Sequence, residues 1–385
     1  MKIAIQFGAG AIGRGLLGKI IHDSGYKLIF VDVFDKIVDQ INEDGYVGLE
    51  LMDHENKAIK LENVSALCSS KDEDLEKIYE AITKADIITT SVRVENLDST
   101  SKIIAKGLEK KDPSTPKVDI MAFENAFRAS DILKGHLLQN TSLTEEEVDS
   151  LATFPNTVTD RIVQNKTVDG RSVVEISDDF EAVIEQTKLK DSTSKPIKDA
   201  EYTQNIDEEL ERKLFLVNGV HAATSYFGYY KGYTMMDEAF GDEEILSDVK
   251  KLMEESSKVL IKKYGFDKVE LDKFKESKLN RFLKTASHDE VARVARDPQR
   301  KLGKTDRLVS PAISAYDNNL EYDYLAKAIA YAFKYDNKED EKALEIQDYI
   351  KENGIEKAIE HFAEIKKDER SGLFEKIVEE YEKID

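Results

Sequence analysis

Three glycines follow the first apolar run of this chain in the spacing G-x-G-x-x-G, and they constrain its fold more than any other feature. Lys2 to Phe7 reads as a buried strand, and Gly8, Gly10 and Gly13 as a turn. Ile12, Leu16, Leu17, Ile20 and Ile21 then form the apolar face of a helix over 13–24, and a second apolar strand over 27–33 carries Asp32 near its end. Strand, glycine turn, helix and strand in this order are the context in which the spacing binds a dinucleotide. Gly8 permits the tight turn, Gly10 lets backbone approach a diphosphate, and Gly13 lets the helix pack on the strand. The run Gly8, Ala9, Gly10, Ala11, Ile12, Gly13 is therefore the candidate cofactor loop, with the helix N-terminus directed at the phosphates. Asp32 can accept from both ribose hydroxyls and would repel a 2′-phosphate. Val33, Phe34 and Asp35 supply no arginine to hold one, so the expected cofactor is NAD rather than NADP. A glycine turn with no ligand, or a flavin or other nucleotide site, uses the same spacing.

With 385 residues the chain exceeds what one core usually covers, and two domains are expected. Formal net charge is −21, which argues against nucleic acid or an anionic membrane as partner. No run approaches the roughly 20 apolar residues that span a bilayer. The first apolar run is too short for a signal peptide, so a cytoplasmic protein is expected. Cys68 is the single cysteine and reads as a small buried hydrophobe, with no intramolecular disulfide available. One cysteine and six scattered histidines (22, 54, 136, 221, 288 and 361) form no zinc ligand set, so no metal is expected. Oligomeric state is not legible.

The first half alternates strands (2–7, 27–33, 86–92, 118–123) with helical patterns (13–24, 35–44, 73–84, 97–109), which predicts a doubly wound parallel sheet of the Rossmann type. Residues 110–117 form a turn-rich connection, and 171–185 read as a further strand pair or a strand and turn. The polar stretch 187–205 reads as a linker or exposed loop. From Asp207, a candidate N-cap, the pattern turns helical, with long charged amphipathic segments at 243–264, 268–284 and 338–384. The expected organisation is a nucleotide-binding domain over 1–195 and an all-helical domain over 196–385 that carries substrate and catalysis.

The helix after the linker contains Lys213, Asn218 and His221 in the spacing K-x4-N-x2-H. On an ideal helix at ~100° per residue these positions lie within roughly 140° of arc, so a base, an amide donor and an imidazole can converge on one pocket. Each residue alone also suits an ordinary amphipathic helix.

The chain resembles the polyol-specific long-chain dehydrogenases over most of its length. The resemblance runs in order through FGAGAIGRG (7–15), FENAFR (123–128), TVTDRIV (157–163), ERKLFLVNGVHA (211–222) and DEVARVARDPQRKLGKTDRLVSP (289–311). It implies a metal-independent enzyme with Lys213 as general base, Asn218 and His221 supporting the reacting oxygen, and Asn125 completing the oxyanion site. It further implies reversible conversion of mannitol 1-phosphate to fructose 6-phosphate with NAD. An unphosphorylated polyol or a sugar acid, as for a mannitol 2-dehydrogenase, is the alternative substrate. The chain departs from the family pattern at Ala11, Phe123 and Gln164, and at Arg93, where a small residue is usual.

Residues 293–307 hold six cations against two aspartates in an otherwise acidic chain. Guanidinium forks suit phosphate oxygens, which makes Arg293, Arg300 and Lys301 candidates for a substrate phosphate. A basic helix end that neutralises the acidic body fits the same composition. Tyr229, Tyr230 and Tyr233 could line a sugar pocket, but core packing suits them better.

Overall fold

A computed structural model of the chain describes residues 2–52, 58–285 and 289–384. It divides into two compact units, Met1–Leu210 and Glu211–Asp385.

The strands of the first unit are β1 Ile3–Phe7, β2 Lys27–Asp32, β3 Tyr46–Leu51, β4 Ala58–Glu62, β5 Val64–Cys68, β6 Ile87–Thr90, β7 Val118–Ala122, β8 Ala152–Thr153, β9 Thr157–Val168, β10 Arg171–Glu185 and β11 Glu201–Thr203. Six of them form a parallel sheet in the order β5-β2-β1-β6-β7-β8. β1, β6 and β7 are mostly apolar and almost wholly buried, as a sheet covered on both faces requires. Helices Asp35–Asp44, Asp72–Lys84 and Leu97–Glu109 follow the predicted periods to within a residue. The chain leaves β1 on one side for β2 and returns on the other as β6. Ligands of open sheets bind at such a reversal, outside the carboxyl ends of the strands.

A second sheet, β11-β10-β3-β4 with β9 paired to β10, is new to the structure. Residues 171–185 are not a strand pair. They form one long strand, and its antiparallel partner is β9, the TVTDRIV segment. Asp169 and Gly170 close that hairpin with φ values of +50° and +78°, the left-handed pair that a two-residue hairpin turn requires. The sheet packs on the helix after the glycine turn. A Cβ at Gly15 would stand 2.8 Å from both Ile176 and Val174. Arg14 and Arg161 fix the same junction. Arg14 donates to the Ala9 carbonyl at 2.7 Å and to Asn165 at 2.9 Å, and Arg161 donates to the carbonyls of Gly15 and Ser177.

The stretch 187–205 is docked on the first unit rather than loose. Ile197 is fully buried, and Tyr202 bonds both its N–H and its carbonyl at 2.8 Å. The next helix starts at Ile206, so Asp207 lies in its first turn. The Asp207 carboxylate receives the two-pronged fork of Arg128 at 2.9 and 2.6 Å instead of capping the helix.

The second unit is helical. The buried helix Val220–Tyr230 is its axis, surrounded by Glu243–Tyr264, Val291–Ala295, Asp323–Lys334 and others. The charged stretch after 338 is not one helix. Gly354, at φ +82°, separates Glu341–Asn353 from the short helix Ile355–Ala358, and Ser371–Glu382 closes the unit. Tyr229 packs on Tyr335 and bonds Asp336, while Tyr233 bonds Asp242, so both serve the fold.

Candidate active site

The glycine turn has the shape a diphosphate needs. Gly8 sits at φ +90°, and a Cβ there would approach the Ser91 carbonyl oxygen to 2.6 Å. A Cβ at Gly13 would fall 1.9 Å from the Gly8 carbonyl oxygen. Both positions therefore exclude a side chain through packing against backbone. Gly10 differs, because a Cβ there would meet nothing within 4 Å. Its exposed backbone is open on the side where a ligand would approach. Ala9 is buried beneath it, and Ala11 and Ile12 are half-buried. Asp32 accepts from the Ala9 N–H at 2.6 Å and from the Phe34 N–H at 3.0 Å. Its carboxylate thus shapes the turn, and each oxygen keeps a second lone pair for a ribose hydroxyl. Val33 and Phe34 beside it are exposed.

At the carboxyl ends of β6 and β7 the chain is braced by Glu124, which the sequence reading did not single out. Its buried carboxylate accepts from Thr90 Oγ1 and the Val92 N–H at 2.8 Å, and from the Arg93 N–H at 2.9 Å. Burial raises its pKa despite these bonds. The brace holds Arg93 at φ +73°, ψ 150°, a region glycine occupies freely and other residues enter at a cost of about 1–3 kcal/mol. That conformation is the physical reason a small residue suits this position. Asn125 follows Glu124 on the exposed loop after β7.

In the second unit, Lys213, Asn218 and His221 lie on one continuous helix and are each half-buried. The helix is not ideal. A π-helical turn, Leu214–Gly219, lies between Lys213 and His221. Its i→i+5 bonding stacks residues five apart about one turn above each other. Lys213 and Asn218 therefore share a face more closely than 3.6-residue geometry gives. Gly219 permits this helix to touch the segment before helix Val309–Asp317, since a Cβ there would stand 2.9 Å from the Arg307 carbonyl oxygen.

His221 stacks on Phe282 with centroids 5.1 Å apart, and its Nε2 lies 3.6 Å from Asp289. Burial pushes its pKa down to about 4; Asp289 opposes the shift, and Arg293, Arg281 and Arg307 add to it. The ring is neutral at pH 7, with one nitrogen to donate and one to accept. The cations around it come from three segments. Arg293 pairs with Asp289, Arg281 lies over the Phe282 ring, and the nearly buried Arg307 is held by Asp306 at 2.6 Å.

The other basic candidates are engaged elsewhere. Arg300 pairs with Asp297 at the surface. Lys301 is buried and donates to the Arg296 carbonyl, and burial beside Arg307 and Arg300 lowers its pKa to about 7. Arg281 had no signal in the sequence, because it stands in an ordinary charged helical segment, and Asp289 opens the 289–311 motif without being singled out there. His54 and His288 lie outside the described residues.

A nucleotide-binding unit of this topology, joined to a helical unit carrying lysine, asparagine and histidine on one helix, defines a class of dehydrogenases. The chain belongs to the mannitol dehydrogenase family: residues 2–197 match the mannitol dehydrogenase Rossmann domain and residues 205–385 the mannitol dehydrogenase C-terminal domain. It is 38% identical to the mannitol-1-phosphate 5-dehydrogenase of Geobacillus stearothermophilus, covering 95% of this chain and 96% of that one. The enzyme of the same name from Clostridium acetobutylicum is 38% identical over 94% of each chain, and that from Emericella nidulans 35% identical over 96% and 95%. Among solved structures, Pseudomonas fluorescens mannitol 2-dehydrogenase in ternary complex with NAD and D-mannitol superposes with a TM-score of 0.76 at 16% identity, covering 99% of this chain and 91% of that one. A D-sorbitol dehydrogenase gives 0.76 at 13% identity, with 98% and 92% covered. Both establish the shared fold.

Proposed function

We propose that this chain is an NAD-dependent dehydrogenase that interconverts mannitol 1-phosphate and fructose 6-phosphate in the cytoplasm. The observation that carries the reading is the lysine, asparagine and histidine set on a helix whose π turn stacks Lys213 and Asn218, in a chain alike along nearly its whole length to enzymes of that name.

The turn from Gly8 to Gly13 and the Asp32 carboxylate would hold the dinucleotide. When bound, NAD supplies the hydride acceptor. Lys213 takes the proton of the reacting hydroxyl in the oxidation and returns it in the reduction. Asn218 and Asn125 donate to that oxygen as charge develops on it. His221, neutral at working pH, bonds the substrate or orients Lys213. A substrate phosphate fits the guanidinium groups of Arg293, Arg307 and Arg281 better than Arg300 or Lys301, because the first three gather their charge around His221 and the other two are not among the groups acting there.

The test follows NADH oxidation with fructose 6-phosphate and with fructose in parallel. Turnover with the phosphate alone supports the reading. Turnover with fructose alone moves the chain to an unphosphorylated polyol, and silence with both refutes the substrate class. Lys213→Ala should lower turnover by about three orders of magnitude or more while NADH binding stays within about threefold. Near-wild-type turnover in that variant would remove Lys213 from the base role.

A further inference from the structure

Arg93 is held in a glycine-like conformation, yet it carries the longest cationic side chain. Four features meet there. The first is position. Phe7 of β1 pairs with Thr90 of β6, and the Ser91 N–H donates to the Phe7 carbonyl at 2.9 Å. Gly10 and Arg93 each stand three residues beyond that last pair, on the two strands between which the sheet order reverses. The second is the brace. Glu124 accepts the N–H groups of both Val92 and Arg93, and Asn96 donates to the Arg93 carbonyl at 3.0 Å, so the backbone is fixed from both sides.

The third feature is the side chain. Arg93 is exposed, and its guanidinium has no hydrogen bond or ion pair among the described residues, in a chain with 77 carboxylates. The other arginines of this unit are all engaged: Arg14 and Arg161 with carbonyls, Arg128 with Asp207, and Arg171 with Glu43. The fourth is the charge around the turn. From Gly8 to Gly13 the loop offers N–H groups and no cation, and the nearby Arg14 is turned inward onto Ala9 and Ser172. A dianionic diphosphate entering an acidic protein therefore meets no other free fixed positive charge in this loop.

We propose that Arg93 is a phosphate-binding residue of the cofactor crevice, its fork closing on the diphosphate opposite the glycine turn. This rests on the NAD reading above. Strain at a braced backbone beside a binding crevice, with a side chain free to reach a ligand, is the pattern of a residue kept for binding rather than for stability. The guanidinium suits paired phosphate oxygens, which a lysine would meet as a point charge.

The experiment compares wild type, Arg93→Gly, Arg93→Met and Arg93→Lys. NADH, ADP and adenosine binding are read by fluorescence titration or calorimetry, and the melting temperature of each variant is measured. Arg93→Gly should melt about 4 °C higher, because strain is relieved, and bind NADH and ADP at least tenfold more weakly. Arg93→Met keeps the strained backbone, so it should melt with wild type and show the same binding loss. Arg93→Lys should recover part of it, and adenosine binding should be equal in all four. A rise in melting temperature with unchanged NADH binding would overturn the proposal. So would a rise in KM for fructose 6-phosphate with NADH affinity intact, which would assign the guanidinium to the substrate phosphate. Failure of wild type to bind NADH would overturn the cofactor reading itself, and the clamp with it.

Discussion

Glu255 gives the second unit a pH dependence that can be worked out in advance. It projects from helix Glu243–Tyr264, is 4% exposed, and caps the neighbouring helix Asp323–Lys334 by accepting from the Tyr324 and Leu325 N–H groups at 3.1 and 2.9 Å. Burial raises its pKa to about 7 against the two N–H bonds, with Asp323 and Glu321 adding to the rise. A carboxyl raised on folding stabilises below its ordinary value of 4.5 and loses that contribution as pH climbs through about 7. With those two values, linkage gives a loss of about 2.5 kcal/mol between pH 5 and pH 8. Glu255→Gln keeps an oxygen for the N–H groups and cannot ionise. Its stability relative to wild type should therefore rise by about 2.5 kcal/mol over the same interval. The assay is guanidinium unfolding of both proteins at pH 5, 6, 7 and 8, followed by circular dichroism and by tyrosine fluorescence. Because other titrating groups are common to both chains, they cancel in the difference. A difference that stays flat with pH would refute the reasoning. A difference of opposite sign would show that the ionised carboxylate is a net stabilising cap.

Two further outcomes follow from particular atoms. Gly13→Ala places a Cβ 1.9 Å from a backbone oxygen that cannot move aside, so it should cost about 3 kcal/mol or more and abolish measurable NADH binding; a variant that melts and binds like wild type would contradict the geometry of the turn. Lys301→Met removes an amine whose pKa burial has lowered to about 7. Wild-type stability should climb with pH between about 7 and the ordinary 10.5, so the variant's advantage should be greatest at pH 7 and below, with KM for fructose 6-phosphate unchanged. A large rise in that KM would return Lys301 to the phosphate site.

What the chain's residue order encodes legibly is local and periodic. The glycine spacing, the flanking apolar strands and the helical periods in the first half depend on neighbours within a few residues, so the Rossmann-type class and four of the six strands of its sheet were legible, while the edge strands β5 and β8 were not. The K-x4-N-x2-H spacing marked the helix that carries the candidate chemistry, though the π turn that narrows its face had no signal in that spacing. Apart from the strand signal at 171–185, the second sheet escaped because β3, β4, β9 and β10 mix buried and exposed positions and not all their partners are near in sequence: β3 pairs with β10 more than 120 residues away. Only the tertiary structure surrounded His221 with Asp289, Arg281, Arg293 and Arg307, drawn from separate segments. Only it showed Glu124 bracing Arg93 in a glycine's conformation. Charge and backbone strain of this kind are properties of proximity in space, and no period in the chain encodes them.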